Sequence, residues 1–554
     1  MSDLNQDLNN KFLKYLSQKQ YKRLKFEIDL LGELESQHPI IIFYYASAIA
    51  LDHSSKDEEL LFAHDLFEKI YLLKKDMQSL YNMIAISYKT KIFNRVLPFL
   101  LKEYQKNNKD VNLLEGLAKI NLFLGNNLES IKFFGKLFEL DPERKDYRLS
   151  YLGTFNYVSN YDQIEYLKIS KKHTQIYEKK LISEKFDHKF TNDKIKIGFL
   201  SGNLKVHPVS FFLKGLIENI DREKFDLIFF SNLKTSQQDS YSDFFKKNSS
   251  QWYDVFDLED EFLTKKIRKL NIDILIDLNG FFDGNRFEIF VNRCAKFQIV
   301  WLGYNNSLGI NNIDYIIADP NLVKKGEEHL YSERILLFNK IWNSMSLPEN
   351  LPNISEEKNK NLFSYGSFNN YVKLSNETIE VWSKIINHSN SRLFLKSSMP
   401  VTEDIKNNIL RKFFSNGVKK NQIIFLDRTE KIIDHYESYN KINVALDTFP
   451  YPGVTTSFEA ALMGVPVLTM KGFNINSRCG ESIIKNLNLP ELIASDKEDY
   501  FKKAIDLQNN QNLNKIFGNK LRDKALASPL FDTNSFTKEF EKNMISLMSS
   551  NIKK

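Results

Sequence analysis

The stretch LDTFPYPGVTTSFEAALMGVPVLTM, residues 446–470, joins a buried strand to a turn that opens directly into an apolar helix. Val444, Ala445 and Leu446 read as strand, Gly453 frees the backbone at the bend, and Thr455 and Thr456 stand where a helix leaves its first amides unpaired. Such amides point outward and bind anions. The segment is built to hold a phosphate.

Outward from this segment the chain reads as a second series of strands, at Leu362 to Phe368, Arg392 to Ser397, Gln422 to Asp427, Ile442 to Asp447 and Val465 to Met470. An earlier series runs through Lys194 to Ser201, Phe225 to Ser231, Ile272 to Asn279, Gln298 to Tyr304, Asp314 to Asp319 and Arg334 to Phe338, with helical stretches such as Ser210 to Ile220 and Glu261 to Leu270 between them. Short apolar runs alternating with helical patterns predict parallel α/β domains. Two doubly wound domains in tandem place a cleft between them. The expected boundaries are 194–342 and 362–554, joined by a polar link over 343–361.

Residues 1–170 carry apolar positions at three- and four-residue spacing, with almost no strand signals. In Val111 to Pro142, Leu114, Leu117 and Ala118 fall on one helix, Gly125 and Asn126 turn, and Phe134 and Phe138 continue a second. Ala85 aligns with Ala118 at a shift of 33 residues, so the spacing resembles a short solenoid of tetratricopeptide repeats. Ser130 stands where the repeat prefers Ala. Such repeats bind protein, and the alternative is a helical domain that only packs. Residues 171–193, Lys-rich and polar, read as a connector.

A length of 554 residues demands several domains. Seventy-seven basic residues against 70 acidic ones, a formal charge of +7, are interleaved along the chain, which argues against nucleic acid as a partner. The apolar runs Ile40 to Ala50 and Val465 to Met470 fall short of a membrane span. The acidic, polar start is unlike a secretory signal, so the expected compartment is the cytoplasm. Cys294 and Cys479, the only cysteines, are too few for a disulfide framework or a Cys-based zinc site.

The chain holds no Asp-x-Asp, no Gly-x-x-x-x-Gly-Lys-Ser/Thr loop, no His-Glu-x-x-His and no clean Gly-x-Gly-x-x-Gly. A departing diphosphate would therefore be met by fixed dipoles and cations in place of a metal. Glu459 follows Thr456 by three residues and matches a capping box. His207, after the first strand of the first domain, sits at the edge where α/β sites gather, and a histidine suits proton removal.

With Asn-Ser-Arg-Cys-Gly at 476–480, Glu-Leu-Ile-Ala at 491–494 and Ser-Pro-Leu-Phe-Asp at 528–532, the opening segment resembles the O-GlcNAc transferase and SPINDLY-like glycosyltransferases. The resemblance implies a TPR-like α-solenoid followed by a GT-B fold of two Rossmann-like domains. It places Lys373 on the donor diphosphate, with Asn370 where the family has Gln. It places Glu459 on the ribose, His435 near the base, and Thr455 and Thr456 at the phosphates. Val454 stands where the animal enzymes have His and Ser438 where they have Arg. His207 falls on the family's His-Pro, Trp301 to Ser307 on a segment beside the cleft, and Asp277 to Gly280 on a loop where bacterial members often have His at the place of Phe281.

The expected activity is metal-independent, inverting transfer of a sugar, N-acetylglucosamine first and fucose or another hexose otherwise. The donor is a nucleotide sugar of the UDP-GlcNAc or GDP-fucose type, no cofactor is needed, and the acceptor is a Ser or Thr hydroxyl of a protein held through the repeats. The alternatives are transfer to Asn or to a glycan, or a repeat scaffold with an inactive core.

Overall fold

The computed structural model describes residues 6–159, 161–178, 182, 186–189, 194–355, 362–398, 401–509 and 517–549. They divide into two compact units, the first made of residues 6–140 with 401–411 and the second of the remainder.

The first unit is helical throughout: Gln6–Ser17, Tyr21–Asp29, Pro39–Leu51, Asp57–Lys74, Met77–Thr90, Leu97–Lys106, Val111–Phe123 and Asn127–Leu140, with most neighbours in the chain packed together. Asp76 and Asp110 cap two of these helices, accepting from the amides of Ser79 and of Asn112 and Leu113. Gly125 turns the last pair at a φ of 69°, where a side chain would strain the backbone. Ser130, the departure from the repeat pattern, is fully buried and donates to the Ala118 carbonyl at 2.8 Å. The hydroxyl is tolerated because it has that partner. Asp404 accepts from the amides of Phe93 and Asn94 at 2.6 and 2.9 Å, which ties residues 401–411 to this unit.

The second unit contains two fully parallel sheets. The first has seven strands: β1 Ile195–Ser201, β2 Phe225–Ser231, β3 Gln251–Asp254, β4 Ile274–Asp277, β5 Phe297–Val300, β6 Tyr315–Ala318 and β7 Arg334–Leu337, in the order β3-β2-β1-β4-β5-β6-β7. The other has six: β8 Ser364–Ser367, β9 Arg392–Lys396, β10 Ile423–Leu426, β11 Val444–Leu446, β12 Val467–Met470 and β13 Ile493–Ala494, in the order β10-β9-β8-β11-β12-β13. The central strands are buried on both faces, which is why they read as continuous apolar runs. β3 and β13 are additional to the strands expected from sequence.

The structure departs from the expected boundaries in two places. Helices Lys145–Thr154 and Gln163–Glu178 belong to the unit of the sheets, and the second covers the start of the expected connector. The last helix, Thr533–Ser549, returns to the first sheet, where Phe536 stacks on Trp301 at 5.9 Å and Glu541 accepts from the Asp221 amide at 2.6 Å. The link 343–361 lies partly, at 356–361, outside the described residues. No described helix is long and apolar enough to cross a membrane.

Candidate active site

In a doubly wound sheet the strand order reverses at one point, and ligands bind beyond the carboxyl ends of the strands there. The first sheet reverses between β1 and β4, the second between β8 and β11. His207 follows β1 and Asp277 to Gly280 follow β4. Asn370 and Lys373 follow β8, while Val454, Thr455 and Thr456 follow β11. Both reversals thus carry the residues singled out from sequence.

Asp447, the residue that follows β11, organises the second site. It is buried, and burial pushes its carboxyl up to about 6. Its oxygens accept from the Gly453 amide at 2.6 Å, from Asn369 Nδ2 at 3.2 Å and from Thr469 Oγ1 at 2.8 Å. Asn369 in turn accepts from Thr456 Oγ1 at 3.2 Å. These bonds hold the turn 447–453 closed against the helix Thr455–Leu462. Gly453 serves closeness, not backbone freedom: its φ is not positive, but an added Cβ would collide with Thr456 Oγ1 and stand 3.0 Å from Asn369 Oδ1.

The helix Thr455–Leu462 has Val454 as its N-cap, with no side-chain cap. The amides of Thr455 and Thr456 donate to no protein acceptor among the described residues. Lys373 reaches the turn that leads into this helix, its Nζ donating to the Pro452 carbonyl at 2.8 Å and lying 4.0 Å from the Tyr451 ring centre. Burial lowers its pKa to about 8. Asn370 caps the short turn that carries Lys373, accepting from the Val372 amide at 3.2 Å.

The capping box does not form. With Val454 as N-cap, Glu459 falls in the second turn, and its carboxylate meets His435 Nε2 at 3.0 Å and the Tyr439 hydroxyl at 3.0 Å. Tyr439 also donates to the Thr456 carbonyl at 3.2 Å. Phe368 lies 4.4 Å from the Tyr439 ring, and Lys396 Nζ donates to Ser438 Oγ at 2.9 Å. A wall of planar groups with one carboxylate therefore flanks the open start of the helix Thr455–Leu462.

His207 does not touch these residues among the described ones. It caps the helix Pro208–Asn219, its Nδ1 accepting from the Val209 amide at 3.2 Å. Phe212 of that helix meets Phe458 edge-on at 5.1 Å, which brings the two helices together across the sheets. Burial, with Lys205 nearby, lowers the imidazole to about 4. A neutral ring that accepts at Nδ1 carries its proton on Nε2, so in this state His207 must first release that proton to serve as the proton acceptor expected from sequence.

Two further expectations resolve as packing. Asp277 accepts from the amides of Asn279 and Gly280, and Asn279 from Ser201 Oγ and the Gly202 amide, so both shape their loop. Trp301 and Tyr304 are buried, Trp301 donating to the Trp342 carbonyl at 2.9 Å.

The model for glycosyl transferase family 41 matches residues 162–343 and 357–540. The chain belongs to glycosyl transferase family 41. The matched residues contain both strand-order reversals, the Lys373 turn and the helix Thr455–Leu462. The chain is 28% identical over 354 residues to the SPINDLY protein of Solanum lycopersicum, covering 62% of this chain and 38% of that one. It is 25% identical over 363 residues to the SEC protein of Arabidopsis thaliana, covering 63% and 36%. The chain thus spans little over a third of the length of the curated relatives it matches. Its fold is that of a mutant Thermobaculum terrenum O-GlcNAc transferase, with a TM-score of 0.78 at 24% identity over 92% of this chain and 97% of that one.

Within the family 41 site, sequence reading passed over Asn369, Asp447, Tyr451 and Lys396. For Asp447 a signal exists, since an acid ending a buried apolar strand at its carboxyl edge has no packing reason to be there. The others carry no local signal.

Proposed function

We propose that this chain transfers a sugar from a nucleotide donor to a Ser or Thr hydroxyl of a protein, by inversion and without a metal. One observation carries the reading: Lys373 is bonded to Pro452 in the turn that leads to the unpaired amides of Thr455 and Thr456, at the reversal point of the second sheet. A diphosphate held there has its developing charge met by a cation and by helix-terminal dipoles, the groups that most lower the barrier for a departing anion. Glu459 and His435 take the ribose and base side. Direct in-line attack by the acceptor hydroxyl inverts the anomeric carbon with no covalent intermediate.

His207 donates from Nε2 towards the acceptor side, and the acceptor's proton leaves to another group or to solvent. The relatives bear the name "Probable UDP-N-acetylglucosamine--peptide N-acetylglucosaminyltransferase", which supports a UDP-sugar donor and a peptide acceptor held partly by the helical repeats. GDP-fucose remains the second donor because Val454 and Ser438 depart from the animal pattern around the base.

The test is a panel of nucleotide sugars offered with acceptor peptides, with and without EDTA, scoring nucleotide release and mass gain on Ser or Thr. Transfer that persists in EDTA is expected. Turnover lost in EDTA and restored only by Mg²⁺ or Mn²⁺ would overturn the mechanism.

A further inference from the structure

Lys396 is a buried cation to which the reading above gives no task. It ends β9, next to β8 in the sheet, and is 2% exposed. Its Nζ donates to Ser438 Oγ at 2.9 Å and to Thr429 Oγ1 at 3.3 Å. Ser438 spends its own proton on the Asp434 carbonyl at 2.9 Å, so its hydroxyl can only accept from the lysine. An ammonium has three N–H groups, and the third meets no protein acceptor among the described residues. Nor does a carboxylate pair with it there. Glu459 and Asp434 favour its charge from a distance, Lys441 opposes it, and burial holds its pKa below the usual lysine value.

A buried ammonium without a counter-ion is costly unless something completes its shell. What surrounds it is aromatic. Phe368 has its ring centre 5.9 Å from Nζ, and Phe368, His435 and Tyr439 lie within 4.4 to 6.1 Å of one another, ring to ring. His435 is bonded to Glu459 on the helix whose first amides are open. A planar ring joined through a ribose to a diphosphate at that helix would lie among these side chains, within reach of Lys396.

We propose that Lys396 selects the nucleobase of the donor by donating its third N–H to the C4 carbonyl of uracil or the C6 carbonyl of guanine, so that the site takes these bases and rejects cytosine and adenine. At that same position the latter carry an amino group, a donor, facing a residue that can only donate, which leaves two buried donors opposed to each other. The proposal rests on the reading of this site as a nucleotide-sugar site.

The test measures binding of UDP, GDP, CDP and ADP by calorimetry to the full chain and to Lys396→Gln and Lys396→Met. The wild-type protein should bind the better of UDP and GDP roughly 10- to 100-fold more tightly than CDP or ADP, as expected for one charged hydrogen bond made or lost. Lys396→Gln, whose amide can donate or accept, should bring the four within about threefold of one another. Lys396→Met should lower the keto nucleotides to the level of the amino ones. If the methionine variant does not fold by circular dichroism, the wild-type ratios and the glutamine variant decide. Equal binding of all four by the wild-type protein, an unchanged ratio in the glutamine variant, or an equal loss for all four would each overturn the role of Lys396 and leave the nucleotide site standing. Binding of none of the four would overturn the site itself.

Discussion

The ammonium of Lys373 stands 4.0 Å from the centre of the Tyr451 ring, whose other neighbour is the ring of Tyr157 at 5.2 Å. The aromatic face attracts the cation and also keeps water from it. A lysine so placed is a charge held ready for an anion, with its pKa already lowered to about 8.

That value sets a pH dependence. Between about 8 and the ordinary 10.5 the unfolded chain binds more protons at this residue than the folded one, so the ligand-free protein should gain stability as pH rises through that window. Binding goes the opposite way, because the diphosphate needs the charged form. Nucleoside diphosphate affinity should be flat below about pH 7 and fall towards tenfold per pH unit above about 8, as for one titrating group. Lys373→Met should weaken binding and flatten the profile. Calorimetry from pH 6.5 to 9.5 reads it, and an affinity in the wild-type protein that does not change would take Lys373 off the diphosphate.

Lys373→Ala should lower kcat by roughly a hundredfold or more, about the effect of removing one positioned electrostatic group from a transition state. Initial rates at saturating donor decide this. A kcat near that of the wild-type protein would separate the lysine from the chemistry.

Gly453→Ala should harm binding more than folding. The new methyl collides with Thr456 Oγ1 at the mouth of the helix, and overpacking of this kind costs about 1–3 kcal/mol. Donor affinity should fall roughly tenfold or more, because the displaced group lies beside the amides that face the phosphates. A variant that binds donor as the wild-type protein does would show that the turn has room the bonds of Asp447 do not suggest.

Truncation should depend sharply on where the cut falls. Removing residues 1–140 leaves Tyr157, Tyr161 and Tyr166 in place, whereas removing 1–170 takes away the Tyr166 hydroxyl that meets the Tyr304 hydroxyl at 2.7 Å and the Ser307 carbonyl at 2.9 Å. Residues 401–411 lose their helical partners in both. The longer fragment should melt at the higher temperature, keep nucleotide binding and lose transfer to its protein acceptor. Equal melting temperatures would mean that helices Lys145–Thr154 and Gln163–Glu178 contribute little to the second unit. Undiminished transfer by the longer fragment would remove the repeats from acceptor selection.

Much of this was legible in the chain because parallel strands buried on both faces write apolar runs, and nearly every such run is a strand here. β3 and β13 were not, since each is an edge strand with one neighbour and needs little apolar content: Gln251–Asp254 is exposed at both ends, and Ile493–Ala494 is two residues long. The destination of Thr533–Ser549 was illegible for another reason, because an amphipathic pattern declares a buried face and not which sheet will cover it. At the site, the strand-to-helix pattern pointed to Thr455 and Thr456, whose amides are open here, while Lys373 was singled out only through the family resemblance. Spacing misread Glu459, because Thr456-x-x-Glu459 fits a cap only if the helix begins at Thr456, and it begins earlier, after Val454. Lys396 had no local mark, its significance being the absence of a carboxylate that only folding could have supplied.

Tyr161 bears on how the cleft can move. Its hydroxyl oxygen accepts from Asn306 Nδ2 at 2.8 Å, in the loop after β5, and from Asn474 Nδ2 at 2.6 Å, in the loop after β12. One atom is therefore tethered to both sheets, and Gln163 repeats the arrangement, donating to Asn306 and accepting from Asn474. Arg478 and Ser482 add ties of their own, Arg478 donating to the Leu322 carbonyl at 3.1 Å and to Glu327 at 2.9 Å, and Ser482 to Asp319 at 2.6 Å. Displacing one sheet against the other therefore breaks several bonds at once, and part of that cost falls on Tyr161 and Gln163, in the chain between the last repeat and the first strand.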